Sequence, residues 1–155
     1  MKARLFCVLL FAFAAAASDG YAQTLDPGTQ RFATLLESVR PDSRVEMFYL
    51  GTPDCPYCAQ WESRAKGELL ASSAGKSLRF VEIRGETLRL PITAKHYPHE
   101  YRWVYDQVGP SRGVPRFLLA LDGKVVLNAL GTGGYNNVFL PVLKEVAARR
   151  GGGAL

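Results

Sequence analysis

Cysteine is scarce in this chain, charge is nearly balanced and long apolar runs are missing. Three cysteines in 155 residues are too few for the set of large-loop disulfides that holds together a small exported protein with little core. The longest apolar stretch, Leu5 to Ala17, falls short of the roughly 20 residues a helix needs to cross a bilayer, and no later stretch approaches it. Lys plus Arg 19 against Asp plus Glu 14 gives a net charge of +5, below the dense basic signature of a nucleic-acid binder, so no nucleic-acid partner is expected. The 48% hydrophobic and 21% charged content excludes a disordered, collagenous or coiled-coil chain and suits one domain with a real core.

What is present begins with an address. Lys2 and Arg4 precede the apolar run, and Gly20-Tyr21-Ala22 puts small residues at the two positions a signal peptidase reads. Residues 1–22 therefore read as a secretory signal cleaved after Ala22, with an uncleaved anchor as the alternative. Cys7 lies inside the run behind Phe6, without the small neighbours of a lipoprotein cysteine, and leaves with the signal. The remaining chain keeps Cys55 and Cys58, a pair whose four-residue loop adds little stability, which points to chemistry rather than scaffolding. Residues 23–150 form the single domain, expected to be a monomer, and 151–155 a disordered glycine-rich tail.

The elements follow from periodicity. Asp26 caps a helix over 27–39 that starts at Pro27 and buries Phe32, Leu35, Leu36 and Val39, with Pro41 as its stop. Val45 to Leu50 is a strand, expected to be central, and ends at Gly51-Thr52-Pro53. A helix starts at Pro56, with Cys58, Trp61, Ala65 and Leu69 on its inner face, and Gly67 is the point where it kinks or ends before continuing through Leu70. Ser77 to Ile83 is a second strand. Between Pro91 and Gly109, the spacing of Tyr101, Val104, Tyr105 and Val108 predicts a helix that starts near Pro98 and stops at Gly109-Pro110. Arg116–Leu121 and Lys124–Leu130 flank Asp122-Gly123, a strong hairpin signal. Asn137 is expected to cap the last helix, with Pro141 in its first turn and Val138, Val142 and Val146 as its stripe. The order predicts an α/β fold, a mixed central sheet with helices on both faces and an extra N-terminal helix.

Cys55-Pro56-Tyr57-Cys58 falls at a strand-to-helix junction. Unpaired N–H groups and the positive end of the helix dipole there stabilise a Cys55 thiolate, the form that attacks a disulfide. Cys58, one turn on, can then attack the mixed disulfide and release the product. Tyr57 between them tunes the first sulfur or meets substrate.

A Cys-x-x-Cys after a strand, followed by Gly113-Val114-Pro115 before a hairpin and a closing helix, resembles the thioredoxin superfamily over Met47 to Arg149. That resemblance implies a cis Pro115 beside the cysteines and a Val114 backbone that pairs with bound substrate. With the export signal, the chain is similar to periplasmic Dsb-type thiol-disulfide exchange proteins. This implies protein thiol or disulfide clients, a membrane or soluble redox partner, a periplasmic location and no cofactor, with the direction open and a reductase favoured.

Three departures stand out. The family's buried carboxylate six residues before the first cysteine is Tyr49 here, so Glu46 substitutes or the relay is absent. Gln23 to Arg44 is too short for the dimerisation domain of the isomerases. The interval from Cys58 to Val114 leaves room for at most one inserted helix.

Other readings stay open. Gly133-Gly134-Tyr135-Asn136-Asn137 and Cys-Pro-Tyr-Cys resemble the glutathione-binding turn and active site of glutaredoxins, against a plain glycine turn feeding a capped helix. His96 and His99 could join the cysteines to handle copper or zinc, although Pro98 between them favours loop histidines. An inert disulfide in a binding module is a third possibility. Asp54 opposes the lowering of the Cys55 pKa unless solvent screens it. Trp61 reads as core. Arg112 and Arg116 could raise the potential beside the Val-Pro loop, and among Tyr97, Tyr101, Trp103 and Tyr105, Trp103 is the candidate for an exposed contact.

Overall fold

The computed structural model describes residues 27–151. The expected signal, Cys7, the Asp26 cap and positions 152–155 of the tail lie outside the described residues. Among the described residues no helix is long and apolar enough to cross a membrane.

The centre of the molecule is a four-stranded sheet in the order β2-β1-β3-β4, formed by β1 (Val45–Gly51), β2 (Arg79–Arg84), β3 (Arg116–Leu121) and β4 (Lys124–Leu130). β1 and β2 run parallel, and β3 is antiparallel to both of its neighbours. Every residue of β1 is buried, as its unbroken apolar run requires of a strand covered on both faces. Because side chains alternate along a strand, Met47 and Tyr49 join one core with Phe117, Leu119 and the cysteines. Phe48 and Leu50 join the other, with Leu118, Tyr101 and Val104. At the hairpin, Asp122 and Gly123 take positive φ values of 49° and 84°, the conformation a two-residue turn needs. The Asp122 carboxylate also accepts from the Arg44 N–H at 2.8 Å and the Ser43 hydroxyl at 3.0 Å, fixing the hairpin to the segment that enters β1.

Helices cover both faces. α1 (Pro27–Glu37) buries Leu36 and packs Phe32, Leu35 and Val39 on the cysteine-side core, two residues shorter than its periodicity predicts. From Pro56 the chain forms α2 (Pro56–Trp61), a wide turn with five-residue hydrogen bonding (Glu62–Lys66) and α3 (Gly67–Ala71). The irregularity expected at Gly67 thus lies in the turn just before it. A short α4 (Ser73–Lys76) is capped by the Ser72 side chain, which draws Ser77 and Leu78 away from the second strand. A Cβ at Gly75 would overlap the Leu69 carbonyl oxygen, so only glycine permits this close return.

The helix expected to start near Pro98 and stop at Gly109 is α5 (Arg102–Val108), entered through a 3-10 turn at His99–Tyr101. A separate 3-10 turn at Ala94–His96 precedes it, and the two stay apart because the residue before a proline is pushed to extended geometry, with Tyr97 at φ −86°, ψ 132°. One expected helix start needs correction. The last helix does not start at an Asn137 cap. It begins six residues earlier as α6 (Gly131–Gly134), passes through a wide turn (Tyr135–Phe139) and continues as α7 (Leu140–Arg149). Pro141 inside a regular helix would clash with the carbonyl four residues back. Here the Leu140 N–H bonds the Tyr135 carbonyl five residues back, and the wider turn accommodates the ring. The register changes accordingly, so Val142 and Val146 are buried while Val138 is exposed.

Candidate functional site

β1 delivers the chain through Gly51-Thr52-Pro53-Asp54 to Cys55, which caps α2 in extended geometry. Cys55 and Cys58 are joined in a disulfide with Cα atoms 5.1 Å apart, and the Cys58 N–H donates to Cys55 Sγ at 3.0 Å. A sulfur that already accepts a backbone N–H at a helix start is set up to carry negative charge once reduced. Both cysteines are buried within the core that holds Trp61, whereas Pro56 and Tyr57 between them are exposed. The dipeptide is the solvent-facing part of the motif.

The Val114-Pro115 bond is cis, as the resemblance implied. Pro115 is buried, and Val114 is half-buried against the core that contains the cysteines. Two connections bring this loop to the same end of the sheet as the cysteine pair. Arg116 pairs with Leu50 near the end of β1. The Pro115 carbonyl accepts from the Gly131 N–H at 2.7 Å, and α6, which begins there, touches α2.

In the core that holds the cysteines Tyr49 is fully buried, tilted against Trp61 with centroids 4.5 Å apart and stacked on Phe117 at 5.6 Å. Its hydroxyl donates to Glu62 Oε1 at 2.5 Å. Glu62 also holds Arg84 at 2.6 Å, and Arg84 and Lys66 both pair with Glu82. Burial and the bond to Glu62 push the Tyr49 phenol far above its ordinary value. Burial raises Glu62 too, but the bonds from Arg84 and Tyr49 outweigh it and hold the carboxyl below its usual value. Glu46 does not stand in for the missing carboxylate. It shares its side of β1 with Phe48 and Leu50, on the face opposite Tyr49, near the far end of the strand, and lies 3.3 Å from the Arg44 guanidinium. The sequence reading missed Glu62, whose spacing of four from Cys58 on a helical pattern was the available signal.

Asp54 is already engaged and does not stand as a free charge beside Cys55. Its carboxylate accepts from the Thr87 hydroxyl at 2.5 Å and the Leu88 N–H at 2.9 Å, and the Thr87 bond foremost keeps its pKa below the usual carboxylate range. Neither Thr87 nor Leu88 carries a sequence signal for this contact, which spans 33 positions.

The remaining residues mostly pack. Trp61 is core, and Trp103 is half-buried edge-on to Phe48 at 5.8 Å rather than an exposed contact. The His96 ring accepts from the Thr93 N–H at 2.9 Å and closes its own capped turn, while His99 is exposed. Among the described residues no group of three His, Cys, Asp or Glu side chains could hold a metal ion. The turn similar to the glutathione site is altered as well. With the helix starting at Gly131, the Tyr135 N–H is spent on the Gly131 and Thr132 carbonyls, and the Tyr135 side chain is buried.

A mixed sheet in this order, a Cys-x-x-Cys at the β1–α2 junction and a cis-proline at the start of β3 define a thioredoxin-like fold. No family model matches the chain, and no curated protein matches it. Among solved structures it is similar to the periplasmic thioredoxin SoxS from Paracoccus pantotrophus in its reduced form. The two are 15% identical, with 67% of this chain and 97% of that one covered and a TM-score of 0.48.

Proposed function

We propose that the chain is an exported thiol-disulfide oxidoreductase acting on protein clients in the periplasm, with reduction of client disulfides as the favoured direction. The observation that carries this reading is the Cys55–Cys58 disulfide at a helix start, its first sulfur accepting a backbone N–H. In the reduced protein the Cys55 thiolate attacks a client disulfide, forming a mixed disulfide and expelling one client thiolate, which takes up a proton. Cys58 loses its proton and attacks the Cys55 sulfur, closing the intramolecular disulfide and releasing the second client thiol. Two electrons and two protons have then passed to the client, and a dithiol donor, membrane-bound or soluble, restores the pair.

Val114 would pair its backbone with the client, Pro115 would hold that loop against the cysteines, and Pro56 and Tyr57 would set the environment of Cys55 and the first contact. The sulfurs carry the electrons, so the reaction calls for no cofactor.

Equilibration in defined glutathione or dithiothreitol buffers, read by thiol alkylation, tests the reading. A reversible couple near roughly −270 mV supports a reductase, and one near roughly −120 mV reverses the direction to that of a disulfide donor. A disulfide that stays closed in excess dithiothreitol contradicts the proposal.

A further inference from the structure

The segment 85–92 is a compact loop fastened to both halves of the site. It leaves the sheet where the Gly85 N–H bonds the Gly51 carbonyl at 2.9 Å. It returns close by, since a Cβ on Gly85 would stand 2.6 Å from Ile92 Cγ1. On one side Asp54, the residue before Cys55, takes the Thr87 hydroxyl and the Leu88 N–H. On the other, Ile92 and Ser111 exchange backbone bonds at 2.8 and 2.9 Å, and the Ser111 hydroxyl donates to the Gly113 carbonyl at 3.0 Å, next to Val114. The buried ends and double fastening leave Leu88 and Leu90 exposed, at 43% and 53%.

Five large apolar side chains are exposed among the described residues, and four of them lie in the motif, on the loop that Asp54 holds, or against Gly113. Leu88 and Leu90 are on the loop, Tyr57 is inside the motif, and Leu130 lies against Gly113. The neighbouring acids are occupied, Asp54 by the loop and Glu86 by Lys95 at 2.8 Å. Arg89 and Arg112 are exposed and, among the described residues, have no acidic partner. The unpaired charge on the loop and next to Gly113 is therefore positive.

We propose that the loop 85–92, pinned by Asp54, is a wall that selects extended polypeptide segments whose cysteine is flanked by apolar and acidic side chains, over small thiols and disulfides. The inference rests on the oxidoreductase reading and names its substrate class. A small disulfide has no side chains with which to use Leu88, Leu90, Tyr57 and Leu130, whereas an extended segment covers them in passing and sets its acids against Arg89 and Arg112. Asp54 and Thr87 act as positioning residues, through the loop.

Three probes test this with dithiothreitol as reductant. They are a short peptide with leucines and glutamates around one cysteine capped by thionitrobenzoate, the same peptide with lysines for the glutamates, and bis(2-hydroxyethyl) disulfide. The Leu/Glu peptide is expected to exceed the lysine peptide in kcat/KM by about tenfold at low salt. L88S/L90S raises KM for the Leu/Glu peptide about tenfold at retained kcat, so the ratio of peptide to small-disulfide kcat/KM falls. T87V, which removes one of the two bonds of the tether but keeps the wall, lowers that ratio by a smaller factor.

An unchanged ratio in L88S/L90S, whether both activities fall together or neither does, overturns the wall. Equal use of the two peptides overturns its charge preference. A wild-type chain inert towards both peptides and the small disulfide overturns the oxidoreductase reading itself.

Discussion

The two faces of the sheet carry similar aromatic loads and treat their polar ends differently. On the cysteine side Tyr49, Trp61, Phe117, Tyr135 and Phe139 form a continuous set of ring contacts. The Tyr49 hydroxyl there is tied through Glu62 to the helix that carries Cys58. On the other side Phe48 meets Tyr101 and Trp103, and Tyr97 meets Tyr105, but the buried Tyr97 and Tyr101 hydroxyls have no hydrogen-bond partner. The tyrosine hydroxyls separate the two faces, although Trp61 Nε1 on the cysteine face is likewise buried without a partner, because a buried hydroxyl with a charged partner contributes stability and an unpaired one costs it. The cysteine face is also the one through which a change in packing reaches the sulfurs.

The largest effect that probes this contrast comes from emptying each core in turn. F117A and F48A should each cost about 3–5 kcal/mol in urea unfolding, yet only F117A should shift the Cys55–Cys58 reduction potential. Equal shifts would erase the distinction. Next, Y49F removes the donor to Glu62 and should cost about 1–2 kcal/mol, while Y101F removes an unpaired hydroxyl and should be neutral to within about 0.5 kcal/mol or stabilising. Equal losses would show that the hydroxyls are alike.

The pH dependence has a definite sign. Burial, the main cause, pushes the Tyr97 phenol up to about 12 from 10.0, so the folded state favours its neutral form. Its contribution is complete below pH 10.0 and is lost as pH rises to about 12. Thermal unfolding should therefore show stability falling over that window, and Y97F should soften the fall. The smallest effect is expected in the half-exposed Arg84–Glu62–Glu82 network, where R84Q should cost about 1 kcal/mol or less at low salt, and less still at high salt.

Much of this was legible from residue types at fixed spacing. The cysteine pair, the Asp122-Gly123 turn and the central β1 are local signals, and a local signal survives folding when no distant contact competes with it, whereas the cis Pro115 followed from the resemblance alone. The final helix was misread because Pro141 was taken as evidence of a first turn, when a wide turn ahead of it accommodates proline deep inside a longer helix. The contacts of Asp54 and Glu62 were out of reach for a different reason. Their partners, Thr87 and Tyr49, come near only when β1, β2 and the loop after β2 assemble, and a carboxylate in a sequence does not announce which hydroxyl it will meet. The Glu46 alternative fell to parity along the strand, since an odd offset from Tyr49 puts it on the other face.

The most direct test of the central claim, that Cys55 attacks and Cys58 resolves, is a trapping experiment. C58A and C55A, each reduced, are mixed with a disulfide-bonded protein, quenched with alkylating agent and run on non-reducing gels. C58A is predicted to accumulate a mixed disulfide with the client while C55A does not, because only the Cys55 sulfur caps the helix and accepts a backbone N–H. Equal trapping by the two variants, or trapping by C55A alone, would contradict the assignment.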